Sequence, residues 1–152
     1  MTNAGKAQDD ERCVFCAALD GDAPSPLTLH EGDGCFVILN KYPYSNGHLM
    51  VVPRRHVAKL SEATEGELSE LMVFTRTAEQ VLTEAYDPDG LNVGMNLGRP
   101  AGAGVHGHLH MHVVPRWNGD TNFMTVTAGT RVVPEDPVQT VERLRPLFQK
   151  LA

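Results

Sequence analysis

No apolar run in this 152-residue chain approaches the ~18–20 positions needed to cross a bilayer. The N-terminus has no apolar signal core either, so a cytoplasmic protein without membrane contact is expected. Cysteine is scarce. Only Cys13, Cys16 and Cys35 occur, too few for a disulfide framework and suited to a reduced compartment. Two of them form Cys13-Val-Phe-Cys16, a spacing that fits a metal site or a redox site, although the thioredoxin-like context a redox pair needs is missing. Positive charge is also short: 13 Lys and Arg face 19 Asp and Glu, a net charge of −6. That balance argues against a nonspecific nucleic-acid binder, whose footprint is a basic face. A small polyanion such as a nucleotide remains possible, because a few local donors can hold it. No internal repeat or interdomain linker is visible, and the length suits one domain with its own core.

The chemistry is concentrated in histidine. Four of the seven histidines fall within His106–His112, and His108, His110 and His112 alternate with Leu109, Met111 and Val113. On a strand over 108–114 that alternation places the three imidazoles on one face and the apolar residues toward a core. Same-face neighbours would lie about 6.5–7 Å apart, close enough to share a proton network or one phosphate.

Residues 1–11 read as a disordered tail, leaving 12–152 as the domain. Strands are predicted over 27–31 and 35–39 around the turn Gly32-Asp33-Gly34, and again over 49–53 and 91–96. Thr64-Glu-Gly-Glu67 is a capping box ahead of Leu68, Leu71, Met72, Thr75, Ala78, Leu82 and Ala85, which predicts one amphipathic helix ending near Tyr86. Residues 100–107 form a glycine-rich loop. Asp136 caps Pro137 at the start of a C-terminal helix that Pro146 should kink or break. Together these elements predict an α+β domain, with an antiparallel sheet of about five strands, one long helix and a C-terminal helix.

His108-Leu-His-Met-His-Val-Val114 meets every position of the signature His-φ-His-φ-His-φ-φ, with φ apolar, and so resembles the histidine-triad (HIT) superfamily of nucleotide hydrolases and transferases. The resemblance extends over roughly 13–125, through Cys13-Val-Phe-Cys16, the stretch from Asn40 to Pro53, Asn96-Leu-Gly-Arg-Pro-Ala-Gly and Pro115-Arg-Trp-Asn-Gly-Asp-Thr-Asn-Phe123. Within the superfamily the run from Gly107 to Met124 is most similar to bacterial diadenosine-tetraphosphate phosphorylases and hydrolases.

The resemblance implies a nucleotidyl transfer in which His110 is the nucleophile, His108 and His112 flank it, and His112 helps hold the phosphate. Backbone carbonyls near the motif would fix the ring tautomers. His48 would order the network behind the nucleophile, and Asn40 would bind the ribose hydroxyls, with Phe36 and Ile38 as base walls or simply core. Asn96, with Gly102 and Gly104 in the loop, would meet phosphate through backbone N–H groups. Gly104 departs from relatives that carry a side-chain donor there, and His106 has no assigned role. Trp117 would lie near the nucleotide. The same resemblance implies a structural zinc on Cys13, Cys16, His56 and His108, and a homodimer with a continuous sheet. Magnesium could accompany a polyphosphate substrate. The function that follows is hydrolysis or phosphorolysis of dinucleoside polyphosphates. Phosphoramidate hydrolysis, a regulatory nucleotide-binding role and a zinc-stabilised interaction module are the alternatives.

Overall fold

The computed structural model describes residues 13–105, 107–120 and 135–152. The predicted tail, His106 and Thr121–Phe123 lie outside them. In chain order the elements are α1 (Val14–Ala18), β1 (Thr28–Glu31), β2 (Cys35–Leu39), β3 (Leu49–Pro53), α2 (Glu65–Tyr86), β4 (Gly90–Gly94), β5 (Met111–Arg116) and α3 (Pro137–Leu151). Short 3-10 turns occupy Leu60–Glu62 and Arg99–Ala101. The five strands form one antiparallel sheet in the order β1-β2-β3-β5-β4, the α+β architecture expected.

Every residue of β2 and β3 is buried, because both faces of the sheet are covered. Val37, Leu39, Leu49, Val51 and Val113 meet Leu71, Ala78 and Leu82 of α2 and Leu144 and Phe148 of α3. The alternate residues Phe36, Ile38, Met50 and Val52 face the other way, onto Cys13, Phe15 and Ala18 of the N-terminal segment. His112 pairs with Met50 in register and therefore stands on this second face. The two helices back the sheet, and His112 stands on the side they leave open, whereas His30 packs against Phe74 and Phe148 on the helix side.

Local rules set the helix ends. Thr64 accepts from the N–H of Glu67, whose carboxylate returns to the N–H of Thr64, the predicted capping box. Asp136 accepts from Val138 N–H at the start of α3.

Four expectations need correction. The helix α1 over Val14–Ala18 was not anticipated. Strand β4 ends at Gly94 rather than Asn96. Helix α3 runs through Pro146 to Leu151 without a break: Pro146 is on the exposed side, while Leu144 and Phe148 are fully buried and hold both flanks of the proline to the core. Strand β5 begins at Met111, so His108 and His110 precede the strand instead of lying in it. The β3–β5 ladder stops at Val51 opposite Met111. Two residues further in that register Pro53 faces Leu109: proline has no N–H for the Leu109 carbonyl, and its own carbonyl accepts from His108 Nε2, so the N–H of Leu109 donates to the Val57 carbonyl instead, at 2.7 Å. Among the described residues no helix is long and apolar enough to cross a membrane.

Candidate active site

The loop between β2 and β3 carries His48 to the triad. Gly47 closes this loop at φ +77°, and a Cβ there would meet the Tyr86 ring at 2.8 Å and Leu82 at 3.0 Å. Only glycine meets both constraints. His48 follows, wholly buried, with its Nε2 2.9 Å from His112 Nδ1.

Hydrogen bonding assigns the tautomers. The backbone N–H of Tyr44 donates to His48 Nδ1 at 3.1 Å, so that nitrogen carries no proton. Burial, with the neighbouring His112 and His110, pushes the His48 pKa down to about 4 and keeps the ring neutral. Its proton is on Nε2 and is donated to His112 Nδ1, which leaves His112 with Nε2–H as its own donor. Burial also lowers the pKa of His112, with His110 adding to the effect.

His110 is arranged in the opposite sense. Its Nδ1–H donates to the His108 carbonyl at 2.9 Å, which frees Nε2 as a lone pair. Burial lowers its pKa, partly opposed by that backbone bond. His110 is 5% exposed and borders a cavity; a neutral imidazole with its Nε2 lone pair unprotonated is a nucleophile that needs no prior deprotonation. The His110 and His112 rings contact edge to face at 4.8 Å.

His108 belongs to a different cluster. Its Nε2–H donates to the Pro53 carbonyl at 2.7 Å, which turns Nδ1 toward Cys13 Sγ at 3.3 Å and Cys16 Sγ at 3.6 Å. His56 Nδ1 lies 3.3 Å from Cys16 Sγ. The four donor atoms all fall within 4.8 Å of one another. Two thiols and two imidazole nitrogens, one imidazole oriented by a carbonyl on its far side, make a donor set that could hold a metal ion. Among the described residues no other such cluster occurs, and none marks a magnesium site.

The remaining candidates divide between two cavities. Asn40, Gly102, Gly104, His110 and Ile38 line one of about 440 Å³. Asn96 and Trp117 line another of about 700 Å³, and His112 borders both. Phe36 is core, with no surface in either. Asn40 Oδ1 accepts from Tyr42 N–H at 2.9 Å, and its Nδ2 is 3.4 Å from the His48 ring.

Two contributors escaped the sequence reading. Phe15, between the two cysteines, packs its ring 5.4 Å from His108 and 5.1 Å from His110 and lines the smaller cavity. Tyr44 supplies the N–H that sets the His48 tautomer and places its ring 4.7 Å from that of His48. The only signal for either was its position, one inside Cys-x-x-Cys and the other between Asn40 and His48.

A model of the HIT domain family matches residues 22–119. The AP-4-A phosphorylase of Mycobacterium tuberculosis is 49% identical over 109 residues, covering 72% of this chain and 56% of that protein. The chain therefore spans little more than half the length of that relative. Protein hit of Bacillus subtilis is 30% identical over 128 residues, 83% of this chain and 87% of that one. The crystal structure of a Zn-bound histidine triad family protein from Mycobacterium smegmatis superposes with a TM-score of 0.75 at 30% identity, over 93% of this chain and 96% of that chain.

Proposed function

We infer the reaction from one premise: the chain belongs to the HIT domain family. It is a nucleotidyl-transferring enzyme that cleaves dinucleoside polyphosphates such as diadenosine tetraphosphate, with inorganic phosphate as the favoured acceptor. The observation that carries this reading is the His110 tautomer, with Nδ1–H held by the His108 carbonyl and Nε2 free. The name of the M. tuberculosis relative supports the substrate and the acceptor.

In the first step His110 Nε2 attacks the phosphorus next to one nucleoside. The N–P bond forms as the P–O bond to the rest of the polyphosphate breaks, with the electron pair leaving on that oxygen. His112 Nε2–H donates a hydrogen bond to the phosphoryl group, and His48 holds His112 in the tautomer that makes this possible. Asn40 holds the ribose, and Gly102 and Gly104 offer backbone N–H groups to phosphate. In the second step phosphate attacks the same phosphorus and the P–N bond breaks, returning His110.

Zinc is the metal that Cys13, Cys16, His56 and His108 would hold best, and it would serve there as a structural ion rather than in bond breaking. The zinc-bound M. smegmatis relative supports this choice. Residues 12–152 form one domain, and two copies join through the exposed edge strand β4, which would make the sheet continuous. A monomeric mass in light scattering would contradict that assembly.

Product analysis tests the reaction. Incubated with diadenosine tetraphosphate, the wild-type protein should form ADP and ATP only when inorganic phosphate is present, and His110→Ala should form neither. Phosphate-independent products would identify water as the acceptor. No turnover under either condition would reject the substrate.

A further inference from the structure

The two cavities on the functional face meet at Tyr44 and His112, which line both. Their volumes, about 440 and 700 Å³, each fall in the roughly 300–1,000 Å³ range of small-molecule sites. The smaller contains His110 and Asn40 and suffices for the nucleotide that becomes attached to the protein. The larger lies between loop 43–46, strand β4 and the residues after β5, and the transfer step leaves it without a task. We propose that the larger cavity seats the second nucleoside of the substrate, the one that departs with the leaving polyphosphate. This rests on the dinucleoside reading above and names where its other half binds.

The lining favours a neutral nucleoside over a phosphate anion. Trp117 and the 75% exposed Tyr44 offer aromatic faces on which a base can stack. Trp117 is steadied edge-on by Tyr86 at 6.4 Å between ring centres. Asn46 and Asn92 each have Oδ1 engaged, by Glu135 N–H and Arg116 Nη1 respectively, both at 2.8 Å. Each amide therefore has its Nδ2 donors to give, matching the ring nitrogens and ribose oxygens of a nucleoside. Among the described residues of the wall the two formally charged ones, Arg116 and Asp120, pair with each other at 2.6 Å. The described wall thus sums to no net charge, a poor seat for a free phosphate cluster and a good one for a base.

Position agrees with chemistry. In-line displacement sends the leaving group away from the attacking atom, and His110 is absent from the wall of the larger cavity while His112 stands at the junction. A polyphosphate crossing His112 would connect a nucleoside in each cavity.

Trp117 is the sole tryptophan of the chain, so its fluorescence reports on the larger cavity directly. His110→Ala would be titrated with AMP and with diadenosine tetraphosphate, with binding followed in parallel by calorimetry. Saturating dinucleotide should change Trp117 emission by several tenths, and saturating AMP should leave it within a few hundredths. Gly94 gives a second arm. It pairs with His112 on the same face, and a Cβ there meets no atom of its own chain within 4 Å, while the pairing of copies proposed for β4 runs through its backbone edge. Gly94→Val should narrow the cavity and weaken the dinucleotide at least fivefold more than AMP. If His110→Ala does not fold, the unmodified protein with a methylene-bridged, uncleavable dinucleotide serves for the same titration. Calorimetric binding of the dinucleotide with a Trp117 response no different from that of AMP would overturn the second seat alone, as would equal effects of Gly94→Val on both ligands. Absence of binding by either nucleotide would overturn the functional reading beneath it.

Discussion

His48 makes the strongest demand of any single residue, because it is wholly buried and still uncharged well into mild acid. Its folded pKa of about 4 lies below the ordinary 6.5, so between those values the unfolded chain takes up a proton that the folded one refuses. Stability should therefore be fully present above pH 6.5 and decline as pH falls toward 4, by about 3 kcal/mol for this ring alone. Denaturant midpoints at a series of pH values should show this decline, and His48→Asn should flatten it. The carboxylate of Glu67, held down to about 2 chiefly by Arg55, loses its contribution only at lower pH, so the two effects separate. An unchanged pH slope in His48→Asn would contradict the neutral buried ring. At this scale the motif and the identities of His108, His110 and His112 were legible in the sequence. The tautomer of each ring was not, since it depends on which carbonyl or N–H meets it: Pro53 for His108, His108 itself for His110, Tyr44 for His48.

Among the elements, those with a local stop signal matched their expected bounds and those ended by a tertiary contact did not. Helix α2 starts at its capping box and ends at Tyr86, before Asp87 in the left-handed conformation. Strands β2 and β3 have their expected limits because both are continuous apolar runs bounded by turns. Helix α1 is too short for periodicity to reveal it. The late start of β5 was hidden because an alternating pattern reads the same with or without a ladder partner, and the interruption is a proline on another strand. Pro146 is the clearest case of packing overriding propensity. An interior proline removes one helical hydrogen bond, here to the carbonyl of Glu142, and Pro146 is exposed at no evident gain. Pro146→Ala should restore that bond and raise unfolding free energy by roughly 2 kcal/mol, the helix penalty less the entropy that proline removes from the unfolded chain. Equilibrium urea unfolding measures it, and a fall in stability would mean that the ring itself packs favourably.

Across the whole molecule, the sheet separates a stabilising side from a reactive one. The helices α2 and α3 bury one face, and the N-terminal segment closes the other through Phe15, Ala18 and the four-residue cluster. That segment would couple a metal on the cluster to a nucleotide at His110, because Val14, Phe15 and Ala18, which flank Cys16, line the cavity that contains His110. Removing metal with a chelator should weaken AMP by roughly fivefold or more, and AMP should slow metal release to a chromophoric chelator to a matching degree, since such coupling is reciprocal. Equal AMP affinity with and without metal would make the cluster a remote staple. The four-residue set was expected from the family resemblance although Cys13 and His108 are 95 residues apart; the lining of the cavity by Val14, Phe15 and Ala18 was not, because no pattern in the chain marks it.

The central claim is that His110 Nε2 takes the nucleotidyl group. Its most direct test is to mix the protein with diadenosine tetraphosphate without added phosphate, quench in alkali to preserve the acid-labile P–N bond, digest, and locate the adduct by mass spectrometry. Adenylate on His110, discharged when phosphate is added before the quench, is the predicted result. Turnover with no adduct at any time point, or an adduct on His112 or His48 that survives in His110→Ala, would contradict it.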